Sequence, residues 1–254
     1  MTKIFTNSAL FYDAIYQNKE YRKEAAYVVQ SLREFDFTAK KILELGCGTG
    51  NYSFILRDHG YEVLGIDASK EMISLAKKKQ SSLGEQNIDF EACNSEDFHT
   101  DLEWDFAVSL FFMLGYQLTD ASLMRTFHAV HSCLKNGGTF AFDFWYGPSV
   151  LKKGCSPNEI HVETNNHKMI RKSSPSIIHE DSCLRIMQSY SIQNKKTGKY
   201  EDFNEVHKVR YFDEKQLSSF LNKCGFEVIR FEAFMGHKPL QDTDWAGMAF
   251  ARAT

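Results

Sequence analysis

The sequence predicts an α/β domain built on a mostly parallel sheet with helices on both faces. Three observations carry that prediction. Between residues 41 and 144 short apolar runs alternate with helical patterns, the way strands and crossover helices follow one another along a chain. The first apolar run leads directly into a glycine-rich turn, Gly46–Cys47–Gly48–Thr49–Gly50, and from there into a helix. From about Ser149 to Tyr211 the rhythm changes to β-type alternation, after which the α/β pattern returns.

Each element follows from local signals. Lys41–Leu45 reads as the first strand, and Asn51–His59 as a helix stopped by Gly60. Glu62–Ile66 is the second strand. Ser69 caps the next helix, whose apolar side carries Met72, Ile73 and Ala76. Ile88–Ala92 and Asp105–Leu110 are the third and fourth strands. A helix from about Thr119 places Leu123, Phe127, Val130 and Leu134 at helical spacing and ends before Gly137–Gly138; Thr139–Phe144 is the fifth strand. Arg185–Gln193 and Asp202–Tyr211 alternate around a hairpin turn at Asn194–Gly198, which predicts three or four inserted antiparallel strands. Asp213 with Gln216 then starts a helix with Leu217, Phe220 and Leu221 facing inward. Gly225 ends it, and Phe226–Phe231 and about Trp245–Arg252 are closing strands. At the front, Ala9–Tyr16 and Glu20–Leu32 read as two helices, the first presenting Phe11, Tyr12, Ile15 and Tyr16 as an aromatic face. The expected organisation is one sheet domain, residues 1–148 and 212–254, with an N-terminal helical lid. Residues 149–211 form an inserted antiparallel layer that serves as a substrate cap or pairs with a second subunit as a homodimer.

The 254 residues are 43% hydrophobic and 25% charged with a formal net charge of −3, which gives no global field to recruit nucleic acid. The six cysteines show no CxxC pair and no zinc spacing, so neither a metal nor a disulfide framework is expected. Met1–Tyr16 lacks the apolar core of a signal peptide, and Phe106–Leu114 is far shorter than the roughly 20 residues of a membrane helix. The expectation is a cytoplasmic protein with a small-molecule partner and no membrane or nucleic-acid role.

Glycines after a first strand let backbone approach a ligand closely, and the helix N-terminus behind them offers unpaired N–H groups. The dinucleotide fingerprint spaces its glycines G-x-G-x-x-G; here the third comes one residue sooner. Asp67 closes the second strand about twenty residues on, placed to accept both hydrogen bonds of a ribose diol. Asn94, after the third strand, can read an adenine amino edge, with Asp97 as the acidic alternative.

The runs Ile42–Gly50 (ILELGCGTG) and Val63–Ala68 (VLGIDA) with Met72, the Cys93–Phe98 turn and the Asn136–Gly138 turn together resemble class I S-adenosylmethionine-dependent methyltransferases. The resemblance implies a Rossmann-like seven-stranded sheet of order 3-2-1-4-5-7-6, with S-adenosylmethionine as cofactor and S-adenosylhomocysteine as product. It further implies that Glu44 approaches the methionine amino group and that Gly46, Cys47, Gly48 and Gly50 pass under methionine and ribose. Asp67 with Ala68 and Met72, and Asn94 with Ser95, complete the nucleoside side, and Ser109 ends the fourth strand at the crevice.

In open α/β sheets the ligand crevice lies beyond the carboxyl ends of the strands. Ser109–Tyr116 and Phe144–Gly147 reach it, and both are aromatic. Phe111 and Phe144 read as core; Trp145 and Tyr146, beside Gly147–Pro148, read as acceptor-pocket walls. Methyl transfer needs chiefly alignment, and positioning alone supplies several powers of ten. The general-base candidates are Tyr116, Asp143 and His237. The Asn/Asp-Pro-Pro-aromatic motif of nucleobase and glutamine methyltransferases is absent, Asp143–Phe144–Trp145–Tyr146 standing in its place.

The front, Phe11–Tyr16 with Tyr21 and Glu24–Ala25, is similar to bacterial methyltransferases that dimethylate the amino group of nucleotide-linked deoxysugars. The Leu114–Gly115–Tyr116 turn, the Phe142–Tyr146 run and the length of the insertion are similar too. The resemblance implies that Tyr12, Tyr16 and Tyr21 cover the cofactor and that Tyr116 faces the acceptor. Those enzymes carry a histidine near the position of Tyr116, so the chain departs from the pattern there. The expected activity is methylation of a small molecule, first the amine of a nucleotide sugar. The alternatives are O-methylation of a sugar or acidic metabolite and a non-catalytic cofactor-binding module.

Overall fold

A computed structural model describes residues 8–84 and 86–254; residues 1–7, part of the stretch read as lacking a leader's apolar core, lie outside the described residues. A 3-10 turn at Ser8–Phe11 opens the described chain. The elements that follow are α1 (Tyr12–Ile15), α2 (Tyr21–Phe35), β1 (Lys41–Leu45), α3 (Asn51–Asp58), β2 (Glu62–Asp67), α4 (Lys70–Leu83), β3 (Ile88–Ala92) and β4 (Trp104–Ser109). After a second 3-10 turn, Met113–Tyr116, come α5 (Asp120–Cys133), β5 (Leu134–Trp145) and α6 (Gly147–Lys153). Four strands follow: β6 (Asn158–Glu163) and the longer β7 (His167–Ile178), β8 (Cys183–Asn194) and β9 (Tyr200–Arg210). The chain ends in α7 (Glu214–Lys223), β10 (Phe226–Ala233) and β11 (Ala246–Ala253).

The main sheet has seven strands in the order β10-β11-β5-β4-β1-β2-β3, with β11 antiparallel to both neighbours. With the inserted strands left out of the numbering this is the expected order, read from the other edge. Its central strands read as unbroken apolar runs because both faces are covered. One face packs Leu43, Leu45, Phe140, Phe142 and Phe144 under α5 and α7; the other packs Ile42, Phe106, Val108 and Ala141 under α2, α3 and α4. Side-chain caps hold the helix starts: Ser69 accepts from the Met72 amide, Thr119 from Ser122 and Asp213 from Gln216.

The insertion is a four-stranded antiparallel meander, β6-β7-β8-β9. Its two ends meet on β5, where the Gly147 amide donates to the Phe212 carbonyl (2.8 Å) and the Phe212 amide donates to the Trp145 carbonyl (2.9 Å). Three local expectations need correction. A short helix, α6, precedes the strands, started by a proline in its first turn. The front aromatic segment is a 3-10 turn plus a four-residue helix without a side-chain cap, shaped by its contacts more than by propensity. The glycines at 137–138 lie inside β5, which pairs with Trp104 from Leu134 onward. Among the described residues no helix is long and apolar enough to cross a membrane.

Candidate active site

Three left-handed glycines, Gly46 (φ 71°), Gly48 (φ 56°) and Gly50 (φ 82°), turn the chain from β1 into α3. The Gly46 and Cys47 amides donate to the Ile66 carbonyl, tying the loop to β2. At Gly48 a Cβ would meet nothing within 4 Å, so this is the open side of the loop. Two carboxylates flank it. Asp67 accepts from the Gly48 amide (2.9 Å) and the Ser69 amide (2.8 Å); burial raises its pKa and those amides only partly offset the effect. Glu44 is buried and accepts from the Ser53 hydroxyl; burial pushes its pKa up to about 7, the hydroxyl pulling it down and Asp67 adding to the rise. Among the described residues neither acid has a cationic partner. Cys47 is buried, and burial first, then Glu44 and Asp67, holds its thiol protonated.

The lid lies directly on this loop. Asp13 of α1 accepts from the Thr49 hydroxyl (2.6 Å) and Asn51 Nδ2 (3.0 Å) and pairs with Lys79 (2.7 Å). Tyr12 and Tyr21, with Gly46, Cys47, Asn51, Tyr52, Leu110 and Phe111, enclose a cavity of about 20 Å³. Phe111 is therefore a cavity wall, where the sequence reading put it in the core, and Lys19 Nζ sits 4.3 Å over its ring. On the nucleoside side Ala68 and Asn94 are exposed, Asn94 donating to Asp97 (3.2 Å). Met72 is buried, and Ser95 is held by Thr126 and Gln117. Ser109 is fully enclosed, and among the described residues its hydroxyl has no hydrogen-bond partner.

Side chains alternate along a strand, which decides the fates of Asp143, Trp145 and Tyr146. Tyr146 shares the face of Phe142 and Phe144 and is buried in the core there, so it is not a crevice wall. Trp145 points the other way, 4.8 Å from the Phe112 ring, and joins Tyr116 against the inserted sheet. Asp143, also on that side, accepts from the amides of Phe111 (2.9 Å) and Phe112 (2.7 Å), both in the left-handed region. Burial pushes its pKa up to about 7 against those two amides and Lys19. Its oxygens are engaged in holding a loop, which leaves it badly placed to be a base. His237 contacts Tyr27 and Glu232 instead of Tyr116.

The inner face of the inserted sheet carries a polar strip: Arg171, Ser173, Glu205 and His207, all buried. Tyr116 Oη lies 3.0 Å from His207 Nδ1, and His207 Nε2 lies 3.6 Å from Glu205 Oε2. Ser8 donates to Glu205 through its hydroxyl (2.8 Å) and its amide (3.3 Å). Arg171 Nη1 donates to Tyr16 Oη (2.7 Å), and among the described residues its Nε has no hydrogen-bond partner and it forms no ion pair. None of these four was anticipated from the sequence. The signal was present: Glu205 and His207 share the face of Phe203 and Val209, and polar residues at inward positions of an alternating strand call for an explanation.

A family model for a methyltransferase domain matches residues 42–138, from β1 to the start of β5. The chain is 28% identical over 230 residues to the putative methyltransferase YqeM of Bacillus subtilis, covering 91% of this chain and 89% of that one. It is 22% identical over 219 residues to a dTDP-3-amino-3,4,6-trideoxy-alpha-D-glucopyranose N,N-dimethyltransferase of Streptomyces venezuelae, covering 85% and 89%. A crystal structure of an S-adenosylmethionine-dependent methyltransferase from Clostridium acetobutylicum superposes with a TM-score of 0.81 over 99% of both chains at 19% identity, which establishes a shared fold. The residues at the loop fit that cofactor: buried Glu44 and half-buried Asp67, neither with a counter-ion among the described residues, suit an ammonium and a ribose diol, and the open face at Gly48 gives backbone-close access. The chain thus carries a methyltransferase domain over residues 42–138 and shares the fold of S-adenosylmethionine-dependent methyltransferases.

Proposed function

We propose that the chain methylates a small polar acceptor, the amino group of a nucleotide-linked sugar, lodged between the aromatic lid and the inner face of the inserted sheet. The observation that carries this reading is Arg171. A guanidinium only 6% exposed, whose side chain reaches the Tyr16 phenol and, among the described residues, no carboxylate, is a buried cation suited to an anion. Burial of unpaired charge is costly, and the phosphates of a nucleotide sugar would relieve the cost. The Streptomyces venezuelae relative, an N,N-dimethyltransferase of a dTDP-linked amino sugar, supports the same acceptor class.

In this reading residues 1–148 and 212–254 hold the cofactor and 149–211 roof the acceptor. Glu44 pairs with the methionine ammonium, Asp67 with the ribose hydroxyls, and Asn94 with the adenine edge; Tyr12, Tyr16 and Tyr21 exclude water. S-adenosylmethionine supplies an electrophilic methyl group, and no metal is needed for that chemistry. Tyr116 and Trp145 orient the acceptor nitrogen along the line of transfer, where alignment provides most of the acceleration.

Product mass spectrometry against amino sugar nucleotides, hydroxy acids and tRNA tests the proposal. Methylation at nitrogen of a sugar nucleotide is expected, with Arg171→Ala raising KM for that acceptor while cofactor binding holds. Transfer only to a hydroxyl or to tRNA would overturn it.

A further inference from the structure

We propose that Tyr116, His207 and Glu205 form a proton relay: Tyr116 Oη takes a proton from the acceptor ammonium while passing its own to His207 Nδ1, and Glu205 positions His207 and balances its charge. The inference rests on the amine-acceptor reading above, and it adds two residues from the insertion to the chemistry of the site.

The three groups come from two layers that are brought into direct contact. Tyr116 ends the 3-10 turn after β4, whereas Glu205 and His207 occupy successive inward positions of β9. A Cβ at Gly115 would stand 3.1 Å from the Arg210 carbonyl oxygen and 3.3 Å from Val209 Cβ. The glycine therefore lets the turn pack on the β9 backbone, which brings Tyr116 Oη to 3.0 Å from His207.

The electrostatics fit a relay. The groups around Tyr116 are Tyr12 of α1, Tyr16 just after it, Tyr190 from β8, Glu205 from β9 and Asp67; Arg171 of β7 acts on Tyr190. Burial, then Tyr16, Tyr190 and Glu205, push the Tyr116 phenol well above its ordinary range. A free phenolate is thereby disfavoured, so Tyr116 can accept a proton only as it gives one away. Burial also tends to raise Glu205, but His207 and the two Ser8 hydrogen bonds outweigh it and hold Glu205 ionised. An ionised carboxylate beside Nε2 favours the proton on that nitrogen, which turns the Nδ1 lone pair toward Tyr116.

The step balances. The ammonium N–H bond breaks toward Tyr116 Oη as the Tyr116 O–H bond breaks toward His207 Nδ1. The freed nitrogen lone pair forms the N–C bond to the methyl carbon while the S–C bond breaks and leaves its electron pair on sulfur. His207, now an imidazolium beside Glu205, returns its proton to solvent before the next turnover. His207 and Glu205 act through Tyr116 and are positioning residues.

Two measurements test this. Nitrogen NMR of the wild-type protein without acceptor should show His207 protonated at Nε2 and bare at Nδ1, with both signals moved by Tyr116→Phe and by Glu205→Gln. A proton on Nδ1, unmoved by Tyr116→Phe, would overturn the relay whatever the acceptor. In kinetics with an amine acceptor, His207→Gln should lower kcat by about 100-fold near neutrality. Cofactor binding and KM should stay within about twofold of wild type. The deficit should shrink as pH approaches the pKa of the acceptor ammonium, where the amine loses its proton unaided. A deficit constant with pH, the mark of a merely structural role, would sink the idea, as would an unchanged kcat. If the wild type methylates no amine at all, the acceptor reading fails, and the NMR result decides the relay by itself.

Discussion

Asp13, in the short helix of the lid, accepts a 2.6 Å hydrogen bond from the hydroxyl of Thr49 in the glycine loop. Lid and loop are thus joined by a side chain that also gathers Asn51 and Lys79. Its side chain is 44% exposed, so solvent screens the charge and the latch contributes only about 1 kcal/mol. Asp13→Ala should therefore speed cofactor dissociation about fivefold in stopped-flow measurements, with little change in melting temperature.

Asp67 makes a stronger case for the cofactor itself. Its carboxylate is the candidate partner of two ribose hydroxyls, and hydrogen bonds to a charged group contribute about 1.5–3 kcal/mol each. Asp67→Ala should weaken S-adenosylmethionine binding at least about 100-fold by calorimetry while circular dichroism shows the fold retained. Equal binding by the variant would remove the assignment.

Glu44 gives the cofactor a pH signature. Its folded pKa of about 7 exceeds the ordinary carboxyl value, so the folded chain holds more protons than the unfolded one between about 4.5 and 7. The stability this protonation contributes is fully present at the acid end of that window and is lost as pH rises through 7. The melting temperature of the protein alone should fall across the window, and Glu44→Gln should flatten that limb. An ammonium partner requires the ionised acid, so affinity should run the opposite way, rising about tenfold from pH 5.5 to 7. Affinity independent of pH in this range would show that Glu44 does not meet the methionine amine.

Asp143 is a structural acid. Phe111 and Phe112 adopt positive φ, which is costly for bulky side chains, and the two amides that Asp143 accepts hold them there. Asp143→Ala leaves two part-buried amides unsatisfied and should cost about 2–4 kcal/mol, lowering the melting temperature by about 5–10 °C. Asp143→Asn, which keeps one acceptor oxygen, should recover about half.

The sheet and the glycine loop were legible in the sequence because each rests on short-range signals: apolar runs of strand length, Ser69 and Asp213 at helix starts, and glycines where φ is positive. Asp67 was legible for the same reason, as an acid closing a strand at a fixed distance from the loop. The acceptor side was not. Tyr146 and Trp145 are adjacent, and only the alternation of the chain sends one into the core and the other against the inserted sheet. His207 stands 91 residues from Tyr116 in the chain, and no local pattern announces that pairing. What could have been read was the alternation of β9, where Glu205 and His207 stand between Phe203 and Val209 on one face.

The insertion leaves β5 after Trp145 and rejoins it at Phe212, where paired backbone hydrogen bonds close its neck. Along the backbone the four strands are one long loop between neighbouring points of the main sheet, and loop-closure entropy grows only slowly with length. Such a graft can be lengthened, shortened or exchanged while the order and pairing of the seven main-sheet strands stay as they are. On the acceptor reading proposed above, exchanging residues 147–212 as a cassette should change acceptor preference, provided the contacts of Arg171 with Tyr16 and of Glu205 with Ser8 are rebuilt.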